Sequence, residues 1–123
     1  MVVGLWSGCG KEIEVVKKTQ PITGKLIEEY EVYRDENSNK PIKHGYYKSY
    51  YEDKSYEEIG QYEDDKKDGE WVVYDESGEV EWEGNYVDGK FEGKKVWYDE
   101  EGNITDEDMY KDGECVEMCE GNE

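Results

Sequence analysis

GEWVVYDESGEVEWEGNYVDGKFE, residues 69–92, is one β-hairpin with its exit turn, and the residues on both sides of it repeat the same pattern. Gly45, Gly69 and Gly93 are spaced by 24 positions, as are Tyr50, Tyr74 and Tyr98, Glu52, Glu76 and Glu100, Tyr62, Tyr86 and Tyr110, and Asp64, Asp88 and Asp112. Self-similarity at a period of about 20 to 50 residues marks a stacked architecture, in which a unit too small to bury its apolar face borrows its neighbours. Within the stretch, Glu79 to Tyr86 alternates acid with apolar or small residues at a period of two, which describes a strand with one wet face. Ser77-Gly78, Asp88-Gly89, Glu101-Gly102 and Asp112-Gly113 each supply a glycine able to take φ > 0 at a turn. The expected fold is all-β: an elongated single-layer antiparallel β-meander of tandem 24-residue β-hairpin repeats.

Two registers fit the central hairpin. A two-residue turn at Ser77-Gly78 sets Val73 opposite Trp82 and puts Trp71 and Val73 on one face with Val80 and Trp82. A three-residue loop at Glu76-Ser77-Gly78, bulged at Gly78, sets Tyr74 opposite Val80 and Val72 opposite Trp82. One residue of slip exchanges the faces. The recurrence of glycine as the third loop residue favours the bulged loop, and either register leaves rings on both faces.

Outward from the three full repeats, 45–68, 69–92 and 93–116, the pattern loosens. Residues 117–123 form a fraying tail that begins a further repeat with Glu117 in the place of Gly93. Residues 34–44, RDENSNKPIKH, read as an inserted surface loop holding the only Arg and the only His of the chain, Arg34 and His44. Residues 12–33 read as a degenerate hairpin that caps the row, with Gly24-Lys25-Leu26 lying over Gly78-Glu79-Val80. Residues 12–123 are thus one domain, and residues 1–11, MVVGLWSGCGK, stand outside the repeats. Their apolar run followed by Ser7, Gly8 and Cys9 resembles the end of a bacterial lipoprotein signal peptide, in which Cys9 carries the lipid. That resemblance implies a lipid anchor in the bacterial cell envelope; without it the protein is expected in the cytoplasm.

The 123 residues leave room for one core. A net charge of −19 with 40% charged residues would suit a disordered chain, but twelve Tyr and four Trp supply the apolar area that Leu and Val do not. The same charge repels nucleic acid and anionic lipid. A protein partner is expected to be basic, because long-range attraction raises the encounter rate.

The succession Gly-x-x-x-x-Tyr-x-x-x-Gly, an alternating strand ending in Tyr, and Asp-Gly-Lys-x-x-Gly resembles the MORN-repeat variant family of bacterial proteins. Gly69, Tyr74, Gly78, Tyr86, Asp88, Gly89, Lys90 and Gly93 carry the match, which covers 45–116 well and 12–33 weakly. The resemblance implies rows of hairpins in an extended twisted sheet. It also implies a role as an antitoxin, an envelope lipoprotein or a scaffold, and no activity in particular. Lys54, Asp65 and Glu117 depart from the pattern where glycine is expected.

No catalytic residue and no cofactor is expected. His44 has no nucleophile motif around it, and the carboxylates lack the desolvated cleft that separates two pKa values. Asp106-Glu107-Asp108 and Asp99-Glu100-Glu101 do not follow the spacing of a Ca²⁺ loop, so no metal is expected. Cys115 and Cys119 lie about 13 Å apart in an extended strand, beyond the roughly 7 Å that a disulfide spans, so they pair only where the chain turns back. The aromatic stripe carries the binding content. Trp71, Tyr74, Trp82, Tyr86, Trp97 and Tyr98 are too many for one layer to hide, and exposed Trp and Tyr anchor protein interfaces. The same rings also suit stacking between repeats. The expected function is a non-catalytic protein-interaction or scaffold module, or else an antitoxin or immunity protein that neutralises a basic toxin. Exposed sheet edges suit an edge-to-edge homodimer.

Overall fold

The computed structural model describes residues 4–6, as backbone, and 11–119. Twelve antiparallel strands form one open sheet, and the described residues contain no helix. β1 (Gly4–Trp6), β2 (Glu12–Thr19) and β3 (Leu26–Arg34) lie at one end, followed by β4 (Pro41–Tyr50). Each repeat then contributes a long strand and a short return strand: β5 (Tyr56–Glu63) with β6 (Lys66–Lys67), β8 (Val80–Val87) with β9 (Lys90–Phe91), and β11 (Ile104–Lys111) with β12 (Glu114–Glu117). Between them run β7 (Gly69–Tyr74) and β10 (Gly93–Tyr98). The order across the sheet is β1-β2-β3-β4-β5-β7-β8-β10-β11-β12, with β6 beside β5 and β9 beside β8. The sheet is thus a meander, with a third, short strand in each repeat beyond the two legible from the sequence.

Two further boundaries differ from expectation. Residues 4–6 pair with β2, Leu5 opposite Ile13, so part of the N-terminal segment belongs to the sheet edge. Of residues 34–44 only 35–40 form the turn, closed by the Asp35 N–H donating to the Lys40 carbonyl at 3.0 Å. Arg34 ends β3 and Pro41 opens β4, and the first residue of a strand is where a missing N–H does least harm.

Both candidate registers are present in one hairpin. The Gly78 N–H donates to the Asp75 carbonyl and the Asp75 N–H to the Glu79 carbonyl, which closes a three-residue loop with Gly78 at φ 93. Tyr74 accordingly opposes Val80. One residue further the register shifts, Glu81 is extruded as a bulge, and Val73 opposes Trp82. The same shift recurs at Glu57 and at Thr105, each 24 positions from Glu81, and at Ile27 in the first hairpin. An extra residue re-aims the side chains beyond it. Each hairpin therefore carries one set of residues on one face along its length and delivers the pair at its tip to the other.

Directly opposed residues share a face, and successive residues alternate. The first face holds the core. Tyr30 opposes Tyr47, Tyr47 opposes Gly60, and Trp71 opposes Gly84. Trp71 is fully buried at 0% exposure, and Tyr30, Val32 and Tyr47 are buried around it, flanked by Val16, Tyr62 and Tyr86. A single layer hides a tryptophan because rings of its own repeat and of the one before lie against it, one stacked and two edge-on. Tyr47 and Trp71 are 5.5 Å apart, Tyr62 and Trp71 5.4 Å, Trp71 and Tyr86 6.1 Å, and Tyr86 and Phe91 4.3 Å. Such pairs contribute about 0.5–1.5 kcal/mol each beyond the area they bury. Trp71 also donates its Nε1–H to the Gln61 carbonyl at 3.0 Å, and its ring covers Gly60, where no side chain would fit.

Candidate functional site

The six rings singled out in the sequence separate by face. Trp71, Trp82, Tyr86 and Trp97 lie on the core face, Trp82 opposite both Val73 and Trp97. Trp71 is withdrawn from any partner because it is the centre of the core. Trp82 and Trp97, half-buried, stand 6.1 Å apart and are covered by Lys95, whose Nζ is 4.3 Å from each ring. Burial pushes the Lys95 ammonium below its usual range, against which the Asp108 carboxylate acts. Lys43 and Lys67 cover the earlier rings in the same way, Lys67 at 4.4 Å from Trp71 and Lys43 at 4.9 Å from Tyr30. A cation over a ring face attracts by about 0.5–2 kcal/mol, more where water is excluded. The core face is therefore largely occupied by the protein's own lysines.

Tyr74 and Tyr98 lie on the opposite face, beside residues that sequence reasoning passed over. Each tip delivers one cross-strand pair there: Thr19 with Leu26, Tyr50 with Tyr56, Tyr74 with Val80, and Tyr98 with Ile104. Tyr50 and Tyr56 are 5.4 Å apart and Tyr56 and Tyr74 6.3 Å, so the pairs join into a band across the hairpins. Tyr56 is 41% and Ile104 55% exposed, and Ile27 stands at 40% beside Leu26. The signal was in the spacing: positions 56, 80 and 104 hold Tyr, Val and Ile at the 24-residue repeat.

Hydrogen bonds hold one tyrosine of the band, Tyr98, and two tyrosines beside it, Tyr46 and Tyr51. Tyr98 donates to Glu83 at 2.6 Å, Tyr46 to Glu29 at 2.6 Å, and Tyr51 to the Tyr74 carbonyl at 2.7 Å. The bond to Glu83 and, after it, burial raise the Tyr98 hydroxyl above its ordinary value. Tyr46 is raised first by burial and then by Glu29. Past the band, the tips are acidic. Glu52, Asp53, Glu76, Glu100 and Glu101 are exposed in the successive loops. Neighbouring tips are two strands apart, about 10 Å, and an open depression of about 350 Å³ between two of them is lined by Tyr51, Glu52, Asp53 and Glu76.

His44 serves the fold. Its Nδ1 accepts the Asp64 N–H at 3.3 Å and its ring meets Tyr33 edge-on at 5.3 Å. Tyr33 donates to Asp64 at 2.6 Å, chiefly by which its hydroxyl is pushed up to about 12. Among the described residues no group of three or more His, Cys, Asp or Glu is placed to hold a metal ion. Cys9, the residue expected to carry a lipid, lies outside the described residues. Cys115 and Cys119 meet the condition for pairing: the chain turns at Met118, φ 60, and the two form a disulfide with Cα atoms 5.9 Å apart. No family model, no curated protein and no solved structure matches the chain.

Proposed function

We propose that the protein is a non-catalytic binding module that takes a basic protein partner across the tyrosine band. The observation that carries this is the conversion of each hairpin tip, by its bulge, into an apolar pair on the face that the core does not use. A band of rings edged by carboxylates has the anatomy of an interface, with an apolar centre and a polar rim. Tyr98, pinned by its hydrogen bond to Glu83, loses little further freedom on binding. The net charge of −19 selects the sign of the partner, and the resemblance to MORN repeats supports a scaffold rather than a reaction. A second reading, neutralisation of a small basic toxin, is favoured by the same excess of acid and places the toxin on the same band. The proposal includes a lipid at Cys9 that holds the module in the cell envelope; an unmodified Cys9 in protein taken from its native membrane removes that part.

The test is capture of partners from native extract by the wild type and by a Tyr56→Asp/Ile27→Asp double variant. Both substituted residues are exposed, so the variant keeps its circular dichroism. The wild type is expected to retain a basic protein at low salt, and the variant to lose it. Retention by the variant, or recovery of neutral proteins alone, overturns the reading.

A further inference from the structure

The hairpin tips differ in charge. The loops at 51–55, 75–79 and 99–103 each hold carboxylates, whereas the first, Gln20-Pro21-Ile22-Thr23-Gly24-Lys25, holds none. That first loop is firmly set. The Gln20 Oε1 accepts the Ile22 and Thr23 N–H groups at 3.0 and 2.7 Å, and the Gln20 N–H donates to the Lys25 carbonyl at 2.8 Å. Between it and the second tip, a depression of about 290 Å³ interrupts the band, lined by Leu26, Ile27, Tyr50 and Tyr51 among others. Ile27 on its wall is 40% exposed. The Tyr51 wall is fixed by the bond from its hydroxyl to the Tyr74 carbonyl, and at the edge the Lys25 Nζ donates to the Glu52 carbonyl at 3.3 Å.

We propose that this depression receives one apolar side chain, of the size of Leu or Phe, from an extended segment of the basic partner, whose cations follow at every third residue over the acidic tips. The proposal rests on the reading of the band as the partner's surface and deepens it by giving the segment a composition and a direction. Interfaces draw most of their energy from a few anchors seated in pockets, and a wall already held in place costs least to use. Charge selects what enters. The Lys25 ammonium at the edge of the depression repels a cation, so the anchor is uncharged, and the first tip offers a cation no carboxylate. From the second tip onward the sign reverses, with Glu52, Asp53, Glu76, Glu100 and Glu101 exposed in succession. Neighbouring tips are about 10 Å apart and an extended chain rises about 3.3 Å per residue, so one tip corresponds to three residues of the segment. A second copy of this chain does not suit the site, because its tips would bring the same carboxylates against one another on molecules that each carry a net charge of −19.

The test uses a synthetic seven-residue peptide with leucine first, lysine fourth and seventh, and serine between them, titrated into the full chain and followed by amide chemical shifts. The largest shifts are expected in residues 20–27 and 50–52, with smaller ones at Glu76. Serine in place of the leucine is expected to weaken binding about tenfold, and Ile27→Asp to do the same. Ile104→Asp, at the far end of the band, is expected to leave binding unchanged. No binding by the full chain, or equal binding of the serine peptide, overturns the proposal, and the capture experiment above then decides the band by itself. Shifts centred on Tyr74, Val80 and Ile104, or equal weakening by Ile104→Asp, overturn the depression as the anchor site and leave the band standing. Concentration-dependent shifts of residues 20–27 without peptide overturn the proposal in favour of a second copy.

Discussion

At the 24-residue spacing Gly60, Gly84 and Asp108 occupy one position, and the residue opposed to each changes with it: Tyr47, Trp71 and Lys95. Where the opposed residue is a ring, a ring further along the chain lies over the glycine, Trp71 over Gly60 and Phe91 over Gly84. A Cβ at Gly60 would stand inside the Trp71 ring system, so Gly60→Ala is expected to cost about 1–3 kcal/mol through overpacking. Urea unfolding reads this directly, and an unchanged midpoint would show that Trp71 moves freely.

Two residues hold left-handed turn positions that glycine fills in the other repeats, Lys54 at φ 75 and Asp65 at φ 69. Asp65 has a side-chain counterweight, since its Oδ1 accepts the Lys43 N–H at 2.8 Å. Lys54→Gly should therefore raise stability by about 1 kcal/mol, and Asp65→Gly should gain less or nothing. The loop aspartates add a pH dependence. Asp53 is held below the usual carboxylate range chiefly by the Ser55 hydroxyl, Asp75 by the Ser77 hydroxyl, Asp99 by the Asn103 N–H, and Asp35 by the Ser38 N–H. A lowered folded-state pKa gives stability that is present above the unfolded value, about 3.9, and lost as pH falls through the folded one. Titration toward the isoelectric point near 4.3 acts the other way by relieving self-repulsion. The urea midpoint is expected to rise from neutral pH toward about pH 4.5 and to fall below about pH 4. A monotonic fall from neutrality would mean that repulsion is unimportant.

At the scale of the hairpin, the glycines and the period were enough to read the strands and turns, because both are local requirements of the backbone. Register was not legible. The alternation around Trp82 satisfies either pairing, and the bulge at Glu81 that reconciles them leaves no residue signature: its equivalents are Glu57 and Thr105. That one extruded residue also decided which rings could be read as a binding surface. It leaves Trp82 on the side of Trp71 and Val73 and sends Val80 to the side of Tyr74, so a list chosen by residue type mixed core with surface. The disulfide was likewise out of reach, since it depends on Met118 taking φ 60, a conformation that an unbranched non-glycine residue rarely signals. The bond closes a short loop at the end of the sheet, and β12 holds only three pairings. Cys119→Ser is expected to leave the global unfolding midpoint unchanged while speeding amide exchange in residues 114–117. A lowered midpoint would show that the last strand belongs to the cooperative core.

For the whole molecule the decisive quantity is charge, because Asp and Glu outnumber Lys and Arg by 19. The ion pairs are exposed on at least one side: Lys66 with Asp88 at 3.5 Å and Lys11 with Asp64 at 3.7 Å are representative. Pairs of this kind contribute about 0–1 kcal/mol. Against them stands an excess of 19 negative charges, most of them within a few screening lengths of each other, the Debye length being about 10 Å at 0.1 M salt. Salt weakens both effects, but repulsion is the larger, so the thermal midpoint is expected to rise as sodium chloride is added. Association with a basic partner has the opposite sign, since there the same field attracts. Melting curves and partner capture in one salt series should therefore move in opposite directions. If both fall together, the local ion pairs and the lysines over the rings outweigh the net repulsion, and the acid serves the fold more than the partner.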